Sequence, residues 1–424
     1  MSTPSLLNIP YLYKAGTLYS QIPESGAGDF TVTRTTTPTA NRSTRVNKDG
    51  LIELVNDNVP RLDYPLGGAV NGCPALLVEP SAQNITTNSE VISGSPTGAS
   101  IDANVAVSPD GSTTADKLKE GSSLGLHSLG GVVGGSLGGT VDSSPYRISI
   151  FAKADGRNQF TFFDNNQTGA GAGSSTFNLS NGTATGTGVI QNYGNGWYRC
   201  IISCAKIAAT SANALIRLLD AGGNQSYQGN GTSGILFWGK QLETGSVATS
   251  YIPTTTAAVT RSADIIRKTN IASLIGQSEG TVYFEVEVTA EARDKWICTL
   301  DSGNSDYIQL GVNPSQRIFV TTIRNNVVVG STMLSSVLTL GYHKVAYAYN
   351  TATNGCQMFV DGVQNPVLSR TISVMPFMDN VRAGGFTTNS TDSLKAHIRA
   401  AAIYPTRLPN TAGAGVLSLA TLTA

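Results

Sequence analysis

Residues 234–264, GILFWGKQLETGSVATSYIPTTTAAVTRSAD, decide how this chain is read. The first half reads as a buried strand around Ile235, Leu236, Phe237 and Trp238, because branched and aromatic side chains fit a pleated, covered surface. The second half is rich in Thr, Ser and Ala, carries one proline, Pro253, and reads as a linker. A strand that closes one β-domain is thus followed by a segment that hands the chain to another.

The 424 residues are enough for two or three cores. Lys and Arg number 28, as do Asp and Glu, so no global field steers the protein toward nucleic acid or an anionic membrane. Charged residues are 13 % of the chain, against about a quarter in typical soluble domains, and Ser, Thr, Asn and Gly take their place. Such a surface suits β-proteins whose faces meet other subunits or sugar hydroxyls, and equally an ordinary β-rich protein with neutral loops. The five cysteines (Cys73, Cys200, Cys204, Cys298, Cys356) are odd in number and lack a C-x-x-C pair, so no disulfide framework is indicated. In YRCIISCA, Cys200, Ile202 and Cys204 share one face of a strand, as small core residues do. His127, His343 and His397 lack ligand spacing, so neither a metal nor a cofactor is expected. The N-terminus, MSTPSLLNIPYLYKAG, has no signal-peptide pattern and no run is long enough to cross a bilayer, which leads to the expectation of a protein made in the cytoplasm, without membrane insertion.

From Met1 to about Ile85 short apolar groups alternate with turn residues, and the Asp49-Gly50 pair predicts a hairpin leading into GLIELV. From about Thr86 to Pro253, SPDGSTTADKL predicts a turn and strand. The glycine run LGGVVGGSLGGT reads as a mobile loop, since no Lys-Ser/Thr follows to make it a phosphate cradle. YRISIFAKA, QFTFFD, TFNLS, GWYRCIISCA and ALIRLLD have the rhythm of an antiparallel sandwich. From about Asp264 onward, GTVYFEVEVTA alternates, with Val282, Phe284, Val286 and Val288 on a buried face and Tyr283, Glu285, Glu287 and Thr289 on a wet one. Helix is hinted only in RSADIIRKTNIASLIG and in the Ala/Leu-rich stretch after Pro409, and there are neither heptads nor solenoid repeats.

The string WG-x-QLE-x-GS-x-ATSYIPT followed by TR-x-AD resembles the end of a carbohydrate-binding-like jelly-roll domain that recurs in bacteriophage tail fibre, head fibre and other virion surface proteins. TRVNKDGLIELV-x-x-NVPRLDY, CPALLVEPSAQN, YRISIFAKADGR and NGWYRC resemble other parts of the same proteins. HKVAYAYN with CQMFVDGV, and the closing AHIRAAAIYPTRLP, resemble laminin-G and concanavalin-A-like sandwiches. The expected fold is therefore all-β: tandem antiparallel β-sandwiches, first jelly-roll and then concanavalin-A/laminin-G-like, after a short β-rich N-terminal segment. The expected boundaries are 1–85 for a virion-attachment or oligomerisation segment, 86–255 for the jelly-roll and 256–424 for the second sandwich. The resemblance also implies a virion-surface location, other virion proteins as partners, and a homotrimer.

Few residue patterns carry chemistry. Glu285 and Glu287 share a strand face about 6.6 Å apart along the backbone, between the retaining and inverting carboxylate separations of glycosidases. Glu291 follows, but the Asp that such enzymes place between their acids is missing, so a charged solvent face is favoured over catalysis and no catalytic residue is expected. DSGNSDY offers Asp301, Asn304 and Asp306 as oxygen ligands and Tyr307 as a ring for a sugar, but departs from calcium-loop spacing, and a hairpin turn is the plainer reading. Tyr193 in QNYGNGW and Tyr227 in GNQSYQGNG lie in polar loops where a ring beside amides suits a sugar, while Trp197 and Trp238 read as core. Arg45, Glu53, Arg61 and Asp63 read as structural ion pairs.

The expected function is binding of host cell-surface polysaccharide by a virion appendage. A capsid decoration or connector protein without ligand, and a polysaccharide-cleaving spike, share the same fold and remain alternatives.

Overall fold

The computed structural model describes residues 3–9, 13–14, 17–34, 43–64, 74–288, 295–303, 305–333, 336–352, 355–365, 372, 374–384, 395–411 and 417–424. The protein is all-β and contains two antiparallel sandwiches. Their order along the chain is set by pairing between distant segments.

The larger sandwich is centred on Glu279–Val288, where Val282, Phe284, Val286 and Val288 point into the core as their alternation predicts. This strand pairs with Gly341–Asn350 on one side and Ala396–Tyr404 on the other. Beyond Ala396–Tyr404 the sheet continues with Ala75–Val78 and Leu62–Asp63, and Leu6–Asn8 pairs with the same strand through Leu6 and Ile403. The facing nine-stranded sheet has Phe30–Thr33 against Ile265–Lys268, which in turn pairs with Asn380–Ala383. Leu6, Phe30, Val32, Leu76 and Val78 are buried in one core with Val282, Leu300, Ile308 and Met358. The expected boundary at residue 85 therefore separates strands that the structure joins: residues 1–85 complete both sheets of the sandwich otherwise built from 256–424.

The second sandwich is inserted into the first. Ala82–Asn84 and Val259–Arg261 run antiparallel, with Asn84 opposite Val259, and the chain between them forms two six-stranded sheets of jelly-roll type. One sheet contains Pro145–Asp155, Trp197–Ala205 and Gly234–Thr244; the other contains Ser128–Ser136, Gln159–Asp164, Ser175–Asn178 and Ser211–Leu218. Ile148, Ile150, Phe160, Phe162, Cys200, Ile202, Cys204, Ile216 and Phe237 fill the space between them. The two cysteines are thus the core residues that their spacing predicts.

Three local expectations are corrected. The glycine run is a strand, Ser128–Ser136, because Leu129, Val132 and Val133 reach the core across a bulge at Gly131, whose φ is +72°. Gly135 lets Ile85 approach closely, since a Cβ there would lie 2.8 Å from the Ile85 Cγ2. The segment read as a linking helix forms strand Ile265–Lys268 instead, because pairing on both edges and burial of Ile266 outweigh its weak helical preference. The face of Glu279–Val288 read as wet is covered at Tyr283, which packs with Ala402, Tyr404, Leu408 and Leu419. Leu419 opens the helix Leu419–Thr423, the element hinted after Pro409, whose Ser418 side chain caps the Thr421 amide. No helix among the described residues is long and apolar enough to cross a membrane.

A chain beginning at residue 86 is expected to keep the jelly-roll and lose the other sandwich. Hydrogen exchange checks this: amides of Ala396–Tyr404 should exchange at unfolded rates, and native-like protection there would refute the shared architecture.

Candidate functional site

Where the two sandwiches meet, five charged side chains are buried together. Asp264 accepts from Arg34 at 2.7 Å and from Arg61 through its other oxygen. Arg61 also donates to Glu79 at 2.8 Å and to the Ser250 hydroxyl at 2.8 Å. Glu79 in turn accepts from the Ser250 amide at 2.7 Å, and Arg261 lies 3.4 Å from it. All five charged side chains are 0–2 % exposed. Burial alone would raise both carboxyls, but Arg261 and Arg61 hold Glu79 well below the usual range, and Arg61, Arg34 and Arg261 lower Asp264. These contacts join the N-terminal stretch (Arg34, Arg61, Glu79), the end of the jelly-roll (Ser250) and the start of the following segment (Arg261, Asp264). The stretch read as a linker is therefore a packed joint, and Arg61 is the structural ion-pair residue its sequence context suggests. Arg45 and Glu53 pair as well, at 2.6 Å.

The residues expected to contact sugar are spread over the molecule. Tyr227 is 6 % exposed: its ring lies 4.5 Å from that of His127, Arg157 covers it, and its hydroxyl donates to Glu120 at 2.8 Å. Tyr193 is half-buried, edge-on to Phe151 at 4.8 Å, beside the cluster that holds Trp197 and Trp238. Both rings lie on short strands, Val189–Gly194 and Ser226–Gln228, each against an aromatic partner. Asp301 is buried and engaged by Arg382 at 2.8 Å, the Gly303 amide at 3.0 Å and Asn380 at 3.1 Å, so it closes a turn. Asp306 accepts from the Asn325 amide at 2.7 Å, and Tyr307 is half-buried on strand Tyr307–Val312. Asn304, Glu291, Thr289 and Cys73 lie outside the described residues. Among the described residues no three His, Cys, Asp or Glu side chains are placed to hold a metal ion.

The pair Glu285 and Glu287 serves the strand Ala396–Tyr404 beside it. Glu285 faces Arg399 at 3.4 Å, and the Arg399 guanidinium lies over the Tyr342 ring. Glu287 meets His397 Nδ1 at 2.5 Å, while His397 Nε2 meets Asp63 at 2.8 Å. Burial would lower the His397 pKa, but the hydrogen bonds of Asp63 and Glu287 raise it to about 10. Glu287 is correspondingly held low by His397 against the effect of burial, the reverse of what a general acid needs.

A cleft of about 320 Å³ lies between the hairpin of Ser43–Val46 with Ile52–Val55 and the jelly-roll, lined by Ile52, Glu53, Leu54, Trp238 and Tyr251. Both rings are almost fully buried, with the Trp238 indole donating to Thr114 at 3.1 Å and the Tyr251 hydroxyl 2.6 Å from that of Ser89. Neither ring presents a face to stack on.

The opposite side of the jelly-roll is different. In Ser211–Leu218, Ala212, Ala214, Ile216 and Leu218 are buried and alternate with half-exposed Ser211, Asn213, Leu215 and Arg217. On the adjacent strand Phe160 and Phe162 enter the core, which turns Gln159, Thr161 and Phe163 outward. Arg217 stands beside Thr161, Leu215 beside Phe163, and Thr161 beside Thr176 on the next strand. The Arg217 guanidinium lies 4.9 Å from the Phe163 ring centre and donates to Gln225 at 2.9 Å. Thr161, 8 % exposed, keeps its hydroxyl buried beneath this face, without a partner among the described residues. Apolar side chains among amide, hydroxyl and guanidinium groups match a sugar, which offers C–H faces and hydroxyls together. The sequence reading passed over this face, although the alternation in SANALIRL and QFTFFD encodes it.

No protein-family model and no curated protein matches this chain. Among solved structures it is similar to the CBM40 of the Ruminococcus gnavus IT-sialidase, at 18 % identity over 33 % of this chain and 82 % of that one, with a TM-score of 0.28. It is also similar to the NanB sialidase of Streptococcus pneumoniae (12 % identity, 33 % of this chain and 24 % of that one, TM-score 0.28). A third similar structure is the SAP-like pentraxin of Limulus polyphemus (10 % identity, 31 % of this chain and 66 % of that one, TM-score 0.26).

Two outcomes test the joint and the histidine. Asp264→Asn leaves buried arginines uncompensated and should cost about 3–5 kcal/mol in denaturant unfolding; a loss below 1 kcal/mol would remove the joint from the stability of the fold. Because the His397 pKa is raised, its contribution is complete below about pH 6.5 and is lost as pH rises toward 10. The wild-type chain should therefore lose more stability than His397→Gln between pH 6.5 and 10, and parallel curves would refute the assignment.

Proposed function

We propose that this protein is a bacteriophage virion appendage that binds host surface glycans through the outward face of its jelly-roll, around Phe163, Asn213, Leu215 and Arg217. The observation that carries this reading is the half-exposed ladder of polar and apolar side chains, Asn213, Leu215 and Arg217 beside Phe163. The virion setting rests on the resemblance of WG-x-QLE-x-GS-x-ATSYIPT and its companion strings to phage fibre proteins. The same resemblance supports a virion-surface location, other virion proteins as partners and a homotrimeric state. A non-enzymatic role is favoured by the engagement of Glu285 and Glu287 with Arg399 and His397. A decoration or connector subunit is the second reading, favoured by the amount of charge buried at the joint, which serves architecture alone.

The test is retention of the full chain, in its native oligomer, on a panel of immobilised bacterial surface polysaccharides. At least one should retain it, and Phe163→Ala should weaken retention about tenfold while leaving the thermal midpoint near wild type, since one well-placed aromatic contact contributes about 1–1.5 kcal/mol. Absence of retention on every polysaccharide of candidate hosts would move the protein to the decoration or connector class.

A further inference from the structure

We infer that the glycan bound by this face is acidic, with a sugar carboxylate on Arg217; the inference rests on the glycan-binding reading above. Arg217 is the one charged side chain among the outward residues of Gln159–Asp164, Ser175–Asn178 and Ser211–Leu218, because Asp164 is buried and accepts from the Tyr146 hydroxyl. Four other cations of the jelly-roll are paired with carboxylates: Lys117 with Asp155 at 2.7 Å, Lys119 with Asp102 at 2.7 Å, Arg157 with Glu120 at 2.6 Å and Lys206 with Asp142 at 3.4 Å. Arg217 has no carboxylate partner among the described residues. It is nevertheless held in place, by the Phe163 ring beneath it and the Gln225 amide oxygen on Nη1. A fixed guanidinium with donors left over is prepared for a planar anion, which it can grip through two parallel hydrogen bonds.

The neighbours of Arg217 complete the match. Thr161 separates Arg217 from the half-exposed Thr176 in the strand register, so a sugar hydroxyl reaching beyond the carboxylate meets the Thr176 side chain. The balance of 28 positive and 28 negative side chains removes general attraction to a polyanion, so acidic preference must come from this local charge. One positive charge on the face fits one negative charge per bound sugar, which favours a carboxylate over a doubly charged phosphate monoester.

The experiment uses an acidic polysaccharide retained in the panel above, in native form and after chemical reduction of its carboxyl groups to alcohols. Wild type should bind the native polymer at least tenfold more tightly than the reduced one, with the preference shrinking as salt rises. Arg217→Gln should bind both forms alike, at the level wild type shows for the reduced polymer, and Arg217→Lys should recover part of the preference. Circular dichroism and the thermal midpoint confirm that the variants are folded, as expected for a half-exposed side chain. Equal binding of native and reduced polymer by wild type, or a preference that survives Arg217→Gln, would overturn the acidic inference and leave glycan binding standing. Retention confined to neutral or phosphate-bearing polysaccharides would overturn it likewise. Retention of no polysaccharide at all would overturn both readings.

Discussion

Two buried carboxylates, Glu79 and Asp264, held among Arg34, Arg61 and Arg261, are the constraint on which this structure depends. Removing each such ion from water costs several kcal/mol, and only partners in the right places offset it. Those partners come from three parts of the chain, so the cluster is satisfied only when the N-terminal strands, the end of the jelly-roll and the following strand have all docked in one register. A one-residue slip of any of them would leave a buried charge alone. The cluster therefore selects this arrangement over nearby alternatives, whatever its net contribution to stability.

The same joint determines which surface of the jelly-roll stays open. The outer side of the sheet containing Trp197–Ala205 and Gly234–Thr244 carries Phe151, Trp197, Leu236 and Trp238, and the hairpin residue Ile52 and Tyr251 cover it. Tyr251 follows Ser250, which is bound to Glu79, so the cover is anchored by the ion cluster. The other sheet is more polar outside, with Gln159, Asn213 and Arg217 beside Phe163 and Leu215, and it is left to face solvent. Burial and openness thus follow from side-chain chemistry on the two sheets, with the joint holding the cover over the apolar one.

What could be read from sequence was local. The alternation of Val282, Phe284, Val286 and Val288, the Asp49-Gly50 hairpin and the inward pair Cys200 and Cys204 each depend on a few neighbouring residues, and each is found as read. What escaped were decisions made by partners far along the chain. Ile265–Lys268 is a strand because Phe30–Thr33 and Asn380–Ala383 flank it, and Asp301 closes a turn because Arg382 lies across the sheet. Tyr227 reads as a surface ring, but His127, a hundred residues earlier, packs against it at a tilt. The candidate face is hard to read for a different reason: Arg217 and Phe163 sit on regular strands, whose alternation reads as ordinary sandwich packing. The strings around Arg61, Glu79, Ser250, Arg261 and Asp264 are those that wire the joint.

Leu6 pairs with Ile403, a separation of 397 positions, and this has a consequence for synthesis. At about 5–20 residues per second a ribosome takes on the order of 20–80 s between making these two partners. During that interval the first strands must wait with their apolar sides uncovered, while the jelly-roll emerges whole and folds. Its folding brings Asn84 next to Val259 and so turns a long, entropically costly closure into a short one. The inserted module is thereby also an assembly jig: by closing upon itself it carries the two halves of its host within reach of each other.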